Sequence, residues 1–465
     1  MREATQILVI GGGPAGSTAA GLLARQGFQV TLLERDTFPR YHIGESILPS
    51  CRPIFAQLGV LDKIEAHGFQ PKGGAYFFWG PDQWEVVFNR MGGAPNAWQV
   101  VRSEFDKVLL DHARELGVDV HEGVGVRGVE FADGRAVAAR WQDEDGVTGR
   151  ITFDWVVDCS GRAGVLTNQQ FKTRELHEVF KNVAAWGYWE GVKKLEVGPP
   201  GAIAVCSIPT GWFWVIPLHD GTHSVGLVTS RDLFNERRKE LGSVEAVYDE
   251  AMAQSAAVRD LLADAKRVTG LKVEQDYSYA TEQTSGPGYL VCGDAALFLD
   301  PLLSTGVHLA TYSAMLGAAA LGSTLRGETT EQEALNFFDT VYRHAYERLL
   351  VLVSVFYDSY KGKDHHFYNA QKLSAQARQD LNLQAAFDRI ITGIEDLEDA
   401  QEAYSRVSRH LTGETSGDPN PLANLNREHE LRQSPTKPEN AVGGLYLVTE
   451  PRLGLARAQE PVLRP

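Results

Sequence analysis

Two kinds of hydrophobic pattern run along the chain. Ile7 to Ile10 and Val30 to Leu33 are short unbroken apolar runs, the mark of strands buried on both faces. Between them Ser17 to Gln26 carries helical spacing, and the unit as a whole reads strand, glycine turn, helix, strand. The pattern returns in FDWVVDCSGRAG, a strand ending at Asp158 before Gly161, and in Tyr289 to Cys292 followed by a helix over about Thr305 to Leu321. VVRSEFDKVLLDHA predicts an amphipathic helix led by Arg102. Elsewhere the period changes: AAWGYWEGV, AIAVCSI and HSVGLV are aromatic and β-branched strands, whereas about Thr330 to Leu411 has helical spacing with a Phe, Tyr and Leu stripe that reads as core.

These elements predict an α/β fold. A discontinuous parallel-sheet unit is expected from residues 1–74, 99–165 and 270–325, with a second, β-sheet domain from 75–98 and 166–269. A C-terminal helical region over 326–411 and an extended tail over 412–465 follow. The tail is rich in Pro, Asn, Glu and Gly, which suggests a loosely packed arm with a strand at Gly444 to Val448. A length of 465 residues agrees with several compact units.

A formal charge of −15 argues against nucleic acid or an anionic membrane as partner. The start has no signal-peptide pattern, and no run approaches a membrane span, so a cytoplasmic protein is expected. Cys51, Cys159, Cys206 and Cys292 are far apart and suggest neither a disulfide framework nor a zinc site. His365-His366 beside Asp364 makes a poor metal site, and the sequence assigns none.

Gly11, Gly13 and Gly16 fit GxGxxG at a strand-to-helix turn, where the first glycine permits the turn, the second admits a pyrophosphate and the third lets helix pack on strand. Glu34, ending the second strand, is placed to accept from a ribose. Asp294, after the strand at Tyr289, offers a second hydroxyl contact, with a helix N-terminus behind it. Two such segments suit a long flavin dinucleotide, so the discontinuous unit is expected to bind FAD with the β-sheet domain serving the substrate, and Arg102 is a candidate pyrophosphate contact. No second GxGxxG unit is visible for a nicotinamide cofactor, so reduction by a separate flavin reductase is expected.

Together Gly11 to Gly16, Glu34, Asp158-x-x-Gly161 and Gly293-Asp294 resemble the FAD-dependent aromatic hydroxylases. WFWVIP, Trp212 to Pro217, matches the WxWxIP pattern of the flavin-dependent halogenases, and GFQPKGGAYFFWG resembles the segment bearing their reactive lysine, here Lys72. The resemblance spans roughly residues 5 to 375 and includes FPRYHIGESILP and DPLLSTGVHLATYSA. It carries over Ala15, Arg40, Ser46 and Gly306 as further FAD contacts, and Thr305 with Gly306 as the halide-binding pair. Leu303 stands where the tryptophan halogenases of the family have a glutamate, so the chain looks like the phenolic group. It is similar to halogenases of nonribosomal peptide and glycopeptide pathways, which act on hydroxyphenyl groups held by a peptidyl carrier protein.

The resemblance implies that reduced FAD, O2 and chloride generate hypochlorous acid, which Lys72 captures and passes to a phenolic ring. Trp212 and Trp214, two apart on a strand, face the same side and would wall the substrate off from the flavin. His308 and Tyr312, four apart on a helix, are weak candidates for a general base. A cluster of Lys361, Lys363, His365, His366 and Lys372 suits an acidic carrier protein or a solvated face equally. The rival readings are an aromatic hydroxylase, a flavin reductase of isoprenoid chains and a carrier-binding flavoprotein without catalysis.

Overall fold

A computed structural model describes residues 1–88, 96–358 and 434–458. Strand Ala4–Ile10 takes the middle of an eight-stranded sheet because Ile7 to Ile10 are apolar on both faces, none more than 4% exposed. It runs parallel to Val30–Leu33 on one side and Thr148–Asp158 on the other, and Thr148–Asp158 runs parallel to Tyr289–Val291. The register sets Ile10 beside Leu33 and Asp158, and Asp158 beside Val291. Four strands therefore end in one row, and the turns that leave them open along one edge. In open parallel sheets that edge is where ligands bind.

Helix Pro14–Arg25 follows the first turn and packs against Gly306–Leu325 and Arg102–Glu115. Gly306–Leu325 is buried on nearly every side, which explains why its sequence is apolar all round instead of striped.

The second sheet runs in the order Lys266–Arg267, Arg174–Glu190, His223–Ser230, Gly211–Pro217, Ile203–Ile208, Gly74–Trp79, Asp82–Val87. Lys272–Thr281, grouped by the sequence with the FAD-binding unit, pairs instead with Arg174–Glu190 in this sheet. Alternation along Gly211–Pro217 divides two cores. Trp212 and Trp214 join the core shared with the first sheet, whereas Phe213 and Val215 join a separate one closed by helices Arg231–Leu241, Val244–Ala253 and Ala256–Leu261.

Helix Glu331–Asp358 buries Phe337, Phe338, Val341, Tyr342, Tyr346, Leu349, Val353 and Tyr357, so its stripe is core. The basic cluster from Lys361 to Lys372 lies outside the described residues. Part of the tail departs from the expected loose arm. Leu445–Val448 and Gly454–Arg457 form a hairpin whose Leu445, Leu447, Leu453 and Leu455 are buried, and Leu455 N–H donates to Ser323 Oγ at 2.8 Å. Its alternating leucines give one apolar face that docks on Gly306–Leu325.

Among the described residues no helix is long and apolar enough to cross a membrane. All four cysteines are buried free thiols.

Candidate active site

The row of strand ends opens on a cavity of about 670 Å³ that extends from Glu34 to Trp212 and Trp214. Gly11 adopts φ +100°, and a Cβ there would stand 2.4 Å from Cys159 O. A Cβ on Gly16 would stand 1.8 Å from Gly11 O, so helix and turn meet backbone to backbone. Gly13 differs, since a Cβ would meet nothing nearer than Arg40 Nη2 at 3.3 Å, and what glycine leaves clear there is space on the cavity side. The following helix has no side-chain cap, and Pro14 and Ala15 of its first turn line the cavity.

Glu34 is clamped at the second strand end. Gly12 N–H donates to Oε2 at 2.6 Å and Asp36 N–H to Oε1 at 2.8 Å, so one carboxylate ties the glycine turn to its own. Arg40 Nη1 donates to Asp106 Oδ2 at 3.1 Å, with its other nitrogen turned to the Gly13 turn.

Arg102 also lines the cavity, but its guanidinium is largely spent within the protein. Nε and Nη2 donate to the two oxygens of Asp106 at 2.8 and 3.0 Å, and Nη1 donates to Ile43 O at 2.6 Å and Gly44 O at 3.2 Å. One N–H of five is left for a ligand. Its main work is to fix the 43–46 loop against helix Arg102–Glu115.

That loop carries a group the sequence reading passed over in favour of Ser46. Glu45 is 3% exposed and lines the cavity, and Tyr188 OH donates to its Oε1 at 2.5 Å. Burial pushes its carboxyl up to about 7, against the opposing pull of Ser224, Tyr188 and Arg102. The Tyr188 and Tyr41 hydroxyl oxygens lie 3.1 Å apart, and Tyr41 accepts from Trp186 Nε1 at 2.6 Å. Glu45 is visible in HIGESILP, but a glutamate in a loop reads as solvated until the fold buries it. Ser46 lines the same wall, its backbone bridging Gln99. Asp294, at the start of a short turn on the far side, has its carboxyl raised by burial against the opposing charges of Arg162, Arg102 and Arg174.

Where the cavity meets the second sheet, Trp212 and Trp214 stand 6.0 Å apart and Trp186 lies 6.3 Å from Trp214. Opposite them Ser304, Thr305 and Gly306 lead into helix Gly306–Leu325. Thr305 is fully buried, faces the cavity, and its Oγ1 has no hydrogen-bond partner. Ser304 holds a left-handed φ of +58°, uncommon for a residue with a side chain and typical of strained functional turns. The turn is anchored by Asp300, whose Oδ1 accepts from Leu302 N–H at 3.0 Å and Oδ2 from Asn182 Nδ2 at 2.9 Å.

Lys72 is 1% exposed and lies outside this cavity, beside a second one of about 10 Å³ lined by Leu48, Ala75, Phe77, Val86, Phe88 and Leu303. Ile203 and Ser304 line both, so they form the wall between them. Lys72 Nζ donates to Ile47 O at 3.1 Å and lies 5.4 Å from the Phe88 ring centre. Burial lowers its ammonium from the ordinary 10.5 to about 7. His308 and Tyr312 stack at 5.5 Å within the buried helix and line neither cavity.

The donor set fits FAD. A glycine turn open to a pyrophosphate, an uncapped helix N-terminus, a clamped acidic strand end and a second acidic turn across a cavity of ligand size are what an extended flavin dinucleotide requires. The model of the family described as tryptophan halogenase matches residues 6–96 and 89–408. A tryptophan 2-halogenase of Chondromyces crocatus is 40% identical over 98% of this chain and 94% of its own. The sulochrin halogenase gedL of Aspergillus terreus is 38% identical over 75% of this chain and 68% of its own. The solved myxobacterial chondrochloren halogenase CndH, a variant of the FAD-dependent halogenases, superposes with a TM-score of 0.76 at 38% identity, over 86% of this chain and 92% of that one. With the family model spanning most of the chain and a relative 40% identical over nearly its full length, the chain belongs to the flavin-dependent halogenases.

Proposed function

We propose that this enzyme chlorinates an electron-rich phenolic ring, using FAD reduced by a separate flavin reductase, O2 and chloride. The observation that carries the reading is a buried amine, Lys72, in an apolar pocket behind the wall that closes the FAD cavity. When bound and reduced, FAD supplies the two electrons with which O2 oxidises the halide, and the net reaction is FADH2 + O2 + Cl⁻ + H⁺ → FAD + HOCl + H2O.

The residues around it divide the remaining work. The Ser304-Thr305-Gly306 turn offers a halide the positive end of a helix and a hydroxyl without another partner. Trp212 and Trp214 keep an organic ring away from the flavin and so suppress direct hydroxylation. Lys72 holds hypochlorous acid by hydrogen bonding as the ammonium, or displaces hydroxide from it as the free amine to give a chloramine and water; a pKa of about 7 makes both forms available.

The lining beside Lys72 favours a phenol over an indole by its chemistry and not by its size, since a cavity of about 10 Å³ holds no more than a water. Leu303 lines it, and the other lining side chains are apolar apart from Lys72 and Ser304, so no carboxylate stands there to orient an indole N–H. A phenol brings its own activating oxygen. Delivery of the ring on a peptidyl carrier protein rests on the sequence resemblance alone. The relatives named for tryptophan and sulochrin make free acceptors the necessary comparison.

The test is mass spectrometry after incubation with FAD, a reductase, NADH, O2 and chloride, offering tryptophan, a free hydroxyphenyl compound and the same group on a carrier protein. A chloride-dependent mass gain on a hydroxyphenyl substrate supports the proposal, and a gain on the tethered one alone supports the carrier. Chlorination of tryptophan alone would overturn the phenolic assignment, and a halide-independent gain of oxygen would make the enzyme a hydroxylase.

A further inference from the structure

Outside both cavities the fold gathers two histidines and a glutamate that are far apart in sequence. His67 ends helix Leu61–His67, Glu104 lies in the first turn of helix Arg102–Glu115, and His219 follows strand Gly211–Pro217. His67 Nε2 lies 3.4 Å and His219 Nε2 3.1 Å from the same oxygen, Glu104 Oε2. The three ligand atoms all fall within 4.8 Å of one another.

Two of the three separations suit a coordination sphere. Ligands held about 2.0–2.1 Å from a tetrahedral zinc stand about 3.3–3.4 Å apart, near the two measured separations. The imidazoles are also held in place. Phe69, 2% exposed, stacks face to face on His67 at 4.0 Å and meets His219 edge-on at 5.3 Å. His219 buries its Nδ1 with no partner, so Nε2 is the nitrogen it presents to the cluster. All three side chains keep partial exposure, 27%, 41% and 21% for His67, Glu104 and His219, which leaves room for entry and for a water as fourth ligand.

We propose that His67, Glu104 and His219 form a zinc site that clips together three segments of the catalytic frame. Two neutral imidazoles and one carboxylate favour zinc and its transition-metal neighbours over magnesium or calcium, which prefer all-oxygen shells. The ion bridges the stretch running into Lys72, the helix whose Arg102 and Asp106 hold the 43–46 loop, and the end of the strand that presents Trp212 and Trp214. Its role is positional, since it lies apart from both cavities and the three ligands line neither. The site is independent of which ring the enzyme chlorinates.

The test uses the full-length protein stripped with EDTA and desalted. Zinc chloride is titrated in competition with a chromophoric chelator, and bound metal is counted by elemental analysis. One zinc per chain is expected, with affinity reduced at least about tenfold in His67→Ala, His219→Ala and Glu104→Gln and unchanged in His121→Ala, which removes a histidine paired with Asp119 elsewhere. Zinc should raise the thermal midpoint of the native protein and not that of Glu104→Gln, a variant that keeps the fold's packing. X-ray absorption at the zinc edge should report two imidazole nitrogens in the first shell. Absence of stoichiometric binding, equal binding by the three variants, or a sulfur-containing shell would each overturn the proposal.

Discussion

Trp212 donates its indole N–H to Tyr357 across 2.8 Å, which joins the tryptophan wall to the long helix Glu331–Asp358. Tyr357 OH in turn lies 3.1 Å from both oxygens of Asp300, the residue that anchors the turn before Ser304 and Thr305. A wall residue and the candidate halide turn thus share one buried tyrosine. Tyr357→Phe should cost about 1–3 kcal/mol, because it deprives a buried N–H and a buried carboxylate of a partner at once. Denaturant unfolding followed by tryptophan fluorescence measures it, and an unchanged midpoint would separate the two elements.

Lys72→Met should abolish chlorination and leave oxidation of reduced flavin intact, read by product mass spectrometry beside flavin absorbance. The same variant has a pH signature. Burial lowers the folded pKa from 10.5 to about 7, so the unfolded chain binds the proton more tightly and the native protein gains stability as pH rises through that interval. The methionine variant lacks this gain. It should be more stable than the parent at pH 6, with the difference closing toward pH 10.

Glu45 predicts the opposite slope. Its folded pKa of about 7 is above the ordinary 4.5, so the stability it contributes is complete below 4.5 and is lost as pH rises to about 7. Burial sets that value, with the Asp220 charge adding to it and Ser224, Tyr188 and Arg102 opposing it. Glu45→Gln should flatten the stability curve over this window, by up to about 3 kcal/mol. A curve parallel to the parent's would show that Glu45 is ionised throughout.

Gly13→Ala and Gly16→Ala test the cradle by different routes. At Gly16 the new methyl meets Gly11 O at 1.8 Å, and the protein should lose stability. At Gly13 it meets only the end of the Arg40 side chain, and the fold should survive while FAD affinity falls about tenfold or more. Quenching of FAD fluorescence on titration gives the affinity, and thermal melting gives the stability.

Thr305→Val replaces an unpartnered buried hydroxyl with a methyl of the same shape. Stability should hold or rise, because no intramolecular hydrogen bond is lost, while the chloride KM rises several-fold. A large drop in melting temperature would instead reveal a structural role for the hydroxyl.

Much of this was readable in one dimension. The GxGxxG turn, Glu34 and Asp294 are local events, each a residue type at a strand end, and strand ends follow from apolar runs a few residues long. The pairing of Lys272–Thr281 with Arg174–Glu190 was not readable, because a hydrogen-bond ladder between strands about ninety residues apart leaves no local mark. Nor was the engagement of Arg102: its i+4 spacing from Asp106 is local, but the Ile43 and Gly44 carbonyls that take both Nη1 donors come from another segment.

The sequence by itself determined the strand-turn-helix units, the glycines of the cradle and, through WFWVIP and Lys72, the family resemblance, because these depend on periodicity and on neighbours within a few residues. Tertiary structure alone decided that Lys72 and Glu45 are buried and shifted toward neutrality, that Trp212 reaches Asp300 through Tyr357, and that His67, Glu104 and His219 meet. Desolvation and side-chain coordination both depend on what distant segments bring to one point, and hydrophobic patterning records which face of an element is buried without recording what covers it.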